Sequence, residues 1–185
     1  VKNYQNMLKR FNFLILLVLM GCGNGGETPE LLDLQQPPRL QNRESSIEAH
    51  RAVVQKEVES IKAYIEDRDL SLERNGTGIY YQIDSLGKGP NATTGDLVSY
   101  RYQISMLNGS VLYESGEKAS QLLIDREDAE IGLHESLKML RLGDKGFFIL
   151  PSHRAFGVAG DQNKVPPFTA LVYRLEILEI QKTQK

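Results

Sequence analysis

The sequence predicts an α+β domain in which four or five antiparallel strands close around one short helix, and three observations predict it. Val98, Tyr100, Tyr102, Ile104 and Met106 alternate strictly with Ser99, Arg101, Gln103 and Ser105, the period of a strand with one buried face. Leu133, Leu137 and Leu140 share one face of a short helix, expected between Asp128 and Leu142 and stopped by Gly143. Leu171, Tyr173, Leu175 and Ile177 alternate with Val172, Arg174, Glu176 and Leu178, giving a final strand. A twisted antiparallel sheet of this patterning buries one face against the helix and leaves the other wet.

In chain order, Lys2, Lys9 and Arg10 precede a short apolar run from Phe11 to Met20, followed by Gly21-Cys22. That pattern is a secretory signal, too short to span a bilayer as an ordinary helix. Leu19-Met20-Gly21-Cys22 resembles the bacterial lipobox, which makes residues 1–21 a signal peptide and Cys22 the lipidated residue. The plainer alternative is a signal with an incidental cysteine, and Met20 is a less usual occupant of its position. Acyl chains contribute ~0.8 kcal/mol per buried methylene, so several together anchor stably. Cys22 is the only cysteine, so a mature chain acylated there needs no disulfide chemistry.

Residues 22–44 are rich in Gly, Pro and Gln and read as a flexible tether. Ser45-Ser46-Ile47-Glu48 fits a capping box, opening an N-terminal helix within residues 45–69. Its stripe of Val54, Val58, Ile61 and Ile65 either packs against its own domain or dimerises as a coiled coil. Arg51 on the seam and the small number of clean heptads favour packing.

Gly78 to Ile83 reads as a strand, and Gly87 to Gly95 as a turn-rich connection. Asn108-Gly109 is a strong hairpin signal, because both residues tolerate positive φ, and Ser110 to Glu114 returns antiparallel. Lys145 to Leu150 is a short, largely buried strand. Between it and the final strand lie about 19 residues without helical or strand period, and compact domains seldom keep so long a connection unless it is functional or disordered. This one carries Phe156, Val158, Val165 and Phe168, too much apolar surface for a solvated linker, so a ligand cleft is expected there.

The net charge of −2 and pI near 6.0 argue against a nucleic-acid partner, since such binders show a basic excess. His50, His134 and His153 lie far apart without ligand spacing, and no metal or cofactor is implied.

Residues 78 to 182 resemble an FKBP-type peptidyl-prolyl cis-trans isomerase. The landmarks run in order: Gly78-Ile-Tyr-Tyr, Gly87-Lys-Gly-Pro90, Gly95-Asp-Leu-Val-Ser-Tyr100, Asn108-Gly109, Gly132-Leu133 and Leu142-Gly143-Asp144. Pro151, Ala155-Phe-Gly157, Val165-Pro-Pro167 and Ala170-Leu-Val-Tyr173 complete them. The lipobox and Gly160-Asp-Gln-Asn-Lys164 further resemble the gliding-motility-associated isomerase lipoproteins of the Bacteroidetes.

The resemblance implies a five-stranded antiparallel half-barrel wrapped around one short helix, within an isomerase domain placed at residues 70–185. It implies proline-containing polypeptides as substrates, a membrane anchor at the bacterial envelope facing periplasm or cell surface, and an envelope machinery as a further partner. Carried over by position, the cleft would include Tyr100, Leu133, Phe156, Val165 and Tyr173. Phe156 stands where tyrosine is usual.

After Asn108-Gly109 the family commonly shows Phe-Asp-Ser. Counting without gaps puts Leu112, Tyr113 and Glu114 there. A one-residue slip puts Tyr113, Glu114 and Ser115 there, with Glu114 as the polar contact, and the register stays open. A two-residue turn sets Tyr113 opposite Ile104, on the face of Tyr100, unless a bulge intervenes. Ala129 and Glu130 replace commonly aliphatic residues, which makes one wall thinner or more polar. Two functions are compatible with these residues: an isomerase that assists the folding of exported proteins, and a module that grips proline segments with little turnover.

Overall fold

A computed structural model describes residues 38–84 and 87–182. The expected signal peptide, Cys22 and most of the tether lie outside the described residues. Helix α1 spans Pro38–Asp67, so it starts seven residues before the expected cap at Ser45. Proline suits a first helical turn, where its missing N–H has no partner to lose, and the residues after it are mostly good helix formers. Ser45 to Glu48 is therefore an internal turn of α1.

The strands are β1 (Glu73–Arg74), β2 (Tyr80–Asp84), β3 (Lys88–Asn91), β4 (Leu97–Met106), β5 (Val111–Glu114), β6 (Ser120–Leu123), β7 (Arg141–Leu142), β8 (Lys145–Leu150) and β9 (Leu171–Gln181). Helix α2 (Ile131–Lys138) precedes β7, and a single 3₁₀ turn occupies Ser152–Arg154. The main sheet runs β1-β2-β8-β9-β4-β5, antiparallel throughout, and β6 also pairs with β4. The expected five strands are β2, β4, β5, β8 and β9. β6 lies beside Leu97 to Tyr100 of β4, and β5 beside its other half, so the two prolong one edge.

The curl of the sheet brings α2 against its concave face. Leu133, Leu137 and Leu140 join Val98, Phe148, Leu150, Leu171 and Tyr173 in the main core. α2 is shorter than the leucine spacing predicts. Met139 and Leu140 donate to the carbonyls of Ser136 and Leu137, which tightens the last turn, and the Arg141 N–H turns to the Asp144 carboxylate at 2.8 Å. The chain is then extended and pairs as β7 with β3, which lies inside the turn-rich connection expected from Gly87 to Gly95. Leu140 stays buried without being helical.

The opposite face at the β8–β9 end is covered by α1. Ile61 and Tyr64 pack on Ile149, Ala170 and Val172. Two covered faces explain why Ile149, Leu150, Leu171 and Val172 are consecutive apolar residues with no exposure. The apolar stripe of α1 is spent on its own domain in the half that follows Glu57.

Candidate active site: a tyrosine-lined groove

The groove lies between the concave sheet face, the start of α2 and the connection from β8 to β9. It encloses about 720 Å³, within the range of small-molecule and peptide pockets. Tyr100, Tyr102 and Ile104 reach it from β4, Tyr113 from β5, and Ser120 to Leu122 from β6. Asp128 to Glu130 and Leu133 supply the helical side, Phe156 and Asp161 the connecting loop, and Tyr173 the final strand. A second depression of about 610 Å³ sits on the outer sheet face, lined by Arg101, Glu114, Lys145, Arg174 and Glu176. Its walls are charged and partly ion-paired, unsuited to an apolar ring.

Close packing fixes the helical wall. A Cβ on Gly132 would stand 2.5 Å from both the Arg154 carbonyl oxygen and Leu150 Cδ2, so only glycine lets α2 approach this near. Arg154 and Thr77 both reach the Glu135 carboxylate, at 3.2 and 2.7 Å, tying the helix to the 3₁₀ turn and to the turn before β2.

The loop wall is held by one carboxylate. Asp161 accepts the N–H of Asn163 at 2.9 Å and of Val165 at 2.7 Å, and the Tyr113 hydroxyl donates to its other oxygen. Gly160 takes φ +66°, and any side chain there would collide with the Val165 carbonyl oxygen. Partial burial works against ionisation of Asp161, but these donors together hold its pKa below the usual carboxylate range. The same bond to Asp161 raises the Tyr113 phenol.

The hairpin register is resolved in favour of Tyr113 opposite Ile104, by a route other than the expected two-residue turn. The Met106 N–H reaches the Ser110 carbonyl, which makes the loop one residue longer, and a bulge between Ile104 and Ser105 restores the parity. The bulge sends two consecutive side chains inward, Leu112 into the core and Tyr113 into the groove. Alternation then turns Glu114 outward, opposite Gln103, where it lines the outer depression.

Of the residues expected in the cleft, Tyr100, Tyr113, Leu133, Phe156 and Tyr173 converge on it. Leu112 and Val165 are buried behind the wall, at 9% and 3% exposure, and Glu114 points away. The acids of the groove are Asp128, Glu130 and Asp161. Glu130 was foreshadowed by its departure from an aliphatic position. Asp161 lay within the Gly160 to Lys164 motif but was given no place in the cleft, and β6 was unassigned, so Leu122 went unseen.

Burial dominates the electrostatics. It raises Tyr100 above the ordinary phenol value, with smaller contributions from Tyr102, Glu130 and Glu127, and it raises Tyr173 as well. Glu130 is likewise pushed up by burial. Both phenols stay protonated. The Tyr173 hydroxyl is fully buried and has no partner in good hydrogen-bond geometry, with the Glu130 carboxyl beside it.

Residues 89–178 match the sequence model of FKBP-type peptidyl-prolyl cis-trans isomerase, and fold and groove agree with it. Those residues are an FKBP-type isomerase domain, and the enzyme class is peptidyl-prolyl cis-trans isomerase. Among relatives the chain is similar to a probable FKBP-type isomerase of Haemophilus influenzae, at 24% identity across 100% of this chain and 80% of that protein. It is also similar to FkpA of Escherichia coli, at 26% identity over 118 residues, which cover 64% of this chain and 43% of FkpA. The crystal structure of Escherichia coli FkpA superposes with a TM-score of 0.60 at 22% identity, covering 79% of this chain and 71% of that one. That of a Pseudomonas syringae isomerase gives 0.60 at 21% identity, covering 71% and 96%.

Proposed function

We propose that this chain is a lipid-anchored isomerase of the bacterial envelope that assists the folding of exported proteins, with its catalysis in the tyrosine-lined groove. The observation that carries the catalytic part is an open, largely apolar groove of about 720 Å³ whose walls hold protonated phenols.

Such a groove suits amide rotation. The barrier about an X–Pro bond is ~18–20 kcal/mol because the planar amide is conjugated. Twisting removes the conjugation and with it the charge separation of the amide, so the twisted state is less polar than the planar one. Leu133, Ile104, Leu122 and Phe156 strip water from the prolyl ring and favour the less polar state. The Tyr100 and Tyr173 hydroxyls are the donors placed to hold the displaced carbonyl. Each 1.36 kcal/mol gained at the transition state is tenfold in rate.

The anchor reading rests on the signal pattern and on Leu19-Met20-Gly21-Cys22. No helix among the described residues is long and apolar enough to cross a membrane. A Cys22→Ala chain expressed in a bacterium is expected to lose incorporation of labelled fatty acid and to leave the membrane fraction; unchanged labelling defeats the anchor. Service to a gliding machinery is the narrower form of this proposal, supported by the lipobox together with Gly160 to Lys164. Deleting the gene in a gliding host should slow spreading, and unaltered spreading removes that part alone. For the catalytic part, a protease-coupled assay on a proline peptide should show exchange faster than the uncatalysed tens to hundreds of seconds.

A further inference from the structure

We propose that the groove selects prolyl segments carrying a lysine or arginine next to the proline, and that Glu130 is the residue that reads this cation. The inference rests on the isomerase reading of the same groove and gives it a substrate class.

Three carboxylates line the groove, Asp128, Glu130 and Asp161, and among the described residues no Lys, Arg or His lines it. The nearby cationic groups are engaged elsewhere. Lys164 Nζ donates to the Leu112 carbonyl at 2.9 Å, and Lys138 Nζ to Asp125 at 2.8 Å. The His134 ring is held between the Asp125 N–H and the Glu127 carbonyl. An arriving peptide therefore meets three carboxylates on the lining itself, with Lys164, 4.8 Å over the Tyr113 ring, a positive charge nearby.

The three acids are not equivalent. Asp161 is already the hub of the loop, bonded to Tyr113, Asn163 and Val165, and its work is structural. Asp128 is exposed to water that screens it. Glu130 is half-buried at the mouth of α2, where dehydration disfavours its charged form and a ligand cation would relieve that penalty.

A second observation points to a ligand at the same spot. The Tyr173 hydroxyl has no solvent contact and, among the described residues, no partner in good hydrogen-bond geometry, although the Glu130 carboxyl lies beside it on the groove lining. Native proteins rarely leave a buried hydroxyl unpaired. An ammonium or guanidinium entering here offers several donors, one for the carboxylate and one for a lone pair of the phenol oxygen. An acidic residue at the same place would meet like charge and be rejected.

The test uses the purified full chain and matched peptides that differ only in one residue flanking proline, set to Lys, Leu or Glu. Isomerisation is read by kcat/KM and binding by calorimetry. The expected order is Lys, then Leu, then Glu, with about a tenfold span between the first and last, or ~1.4 kcal/mol. The span should contract in Glu130→Gln and in raised salt. Equal values for the three peptides, or a span that Glu130→Gln leaves intact, overturn the proposal while the isomerase reading stands. If no peptide is isomerised, a tighter Kd for the Lys peptide keeps the cation preference and defeats the isomerase reading, and equal Kd values defeat both.

Discussion

At the scale of single residues, Phe156 and Gly160 are where the account is easiest to challenge. Phe156 lines the groove from an irregular loop, so its loss should affect the ligand more than the fold. Phe156→Ala is expected to lower kcat/KM about tenfold, ~1.4 kcal/mol, with a small change in Tm. An unaltered rate would remove Phe156 from the groove chemistry. Phe156→Tyr adds a phenol where this chain has none, and one ordinary hydrogen bond contributes about 0.5–1.5 kcal/mol. That variant should gain several-fold in kcat/KM, and a loss of activity would show that the carbonyl is held from elsewhere. Gly160→Ala should loosen the loop, because the added methyl collides with the Val165 carbonyl oxygen at a positive φ. Its expected signature is a raised KM together with faster hydrogen exchange at the Val165 amide, which Asp161 now protects.

At the scale of elements, α1 and the β8–β9 connection act as a unit. Glu57 is buried, and its two carboxylate oxygens accept the N–H of Ser152 at 2.6 Å and its hydroxyl at 3.0 Å. Ser152 opens the turn that leads to Phe156, so α1 braces the loop wall from behind. Glu57→Ala leaves two buried donors unpaired, which costs about 1–3 kcal/mol. The expected result is a Tm lower by several degrees; a Tm equal to the parent's would mean that water replaces the carboxylate. The sequence foretold the strands at this scale because their alternation reports directly which face is covered. It misplaced both helix bounds for physical reasons. Residues 38–44, mostly polar, carry no apolar period yet are helical, while Leu140 keeps helical spacing and is buried just past the end of the helix. Four-residue β6 offered too little pattern to detect. Tyr100 and Tyr173 reach the groove from regular strands whose alternation is legible in the sequence. Tyr113 faces Ile104 as a two-residue turn would set it, but by a longer loop and a bulge, while Asp161 required knowing the path of the loop, which residue spacing does not give.

At the scale of the whole molecule, the sheet is closed by contacts distant in sequence, and one charged pair illustrates their pH dependence. Burial works against ionisation of Asp96, but the Lys182 ammonium at 2.6 Å and the Thr93 N–H and hydroxyl outweigh it and hold its pKa below the usual range. A folded value below the unfolded one means the stabilisation is present above the unfolded pKa and is lost as pH falls through the folded one. Lys182→Met should therefore lower Tm by about 2–4 °C at neutral pH, for ~1 kcal/mol, and the gap to the parent should narrow as the solution is acidified. A gap that is constant with pH would assign the loss to packing. The larger claim is that a dehydrated, phenol-bearing groove lowers the barrier to prolyl rotation. A protease-coupled assay of the purified chain on a proline peptide, run beside Phe156→Ala at equal concentration, tests this most directly. The account predicts exchange that accelerates in proportion to enzyme and falls about tenfold in the variant. Exchange at the uncatalysed rate, with the peptide bound and the protein folded, would contradict it.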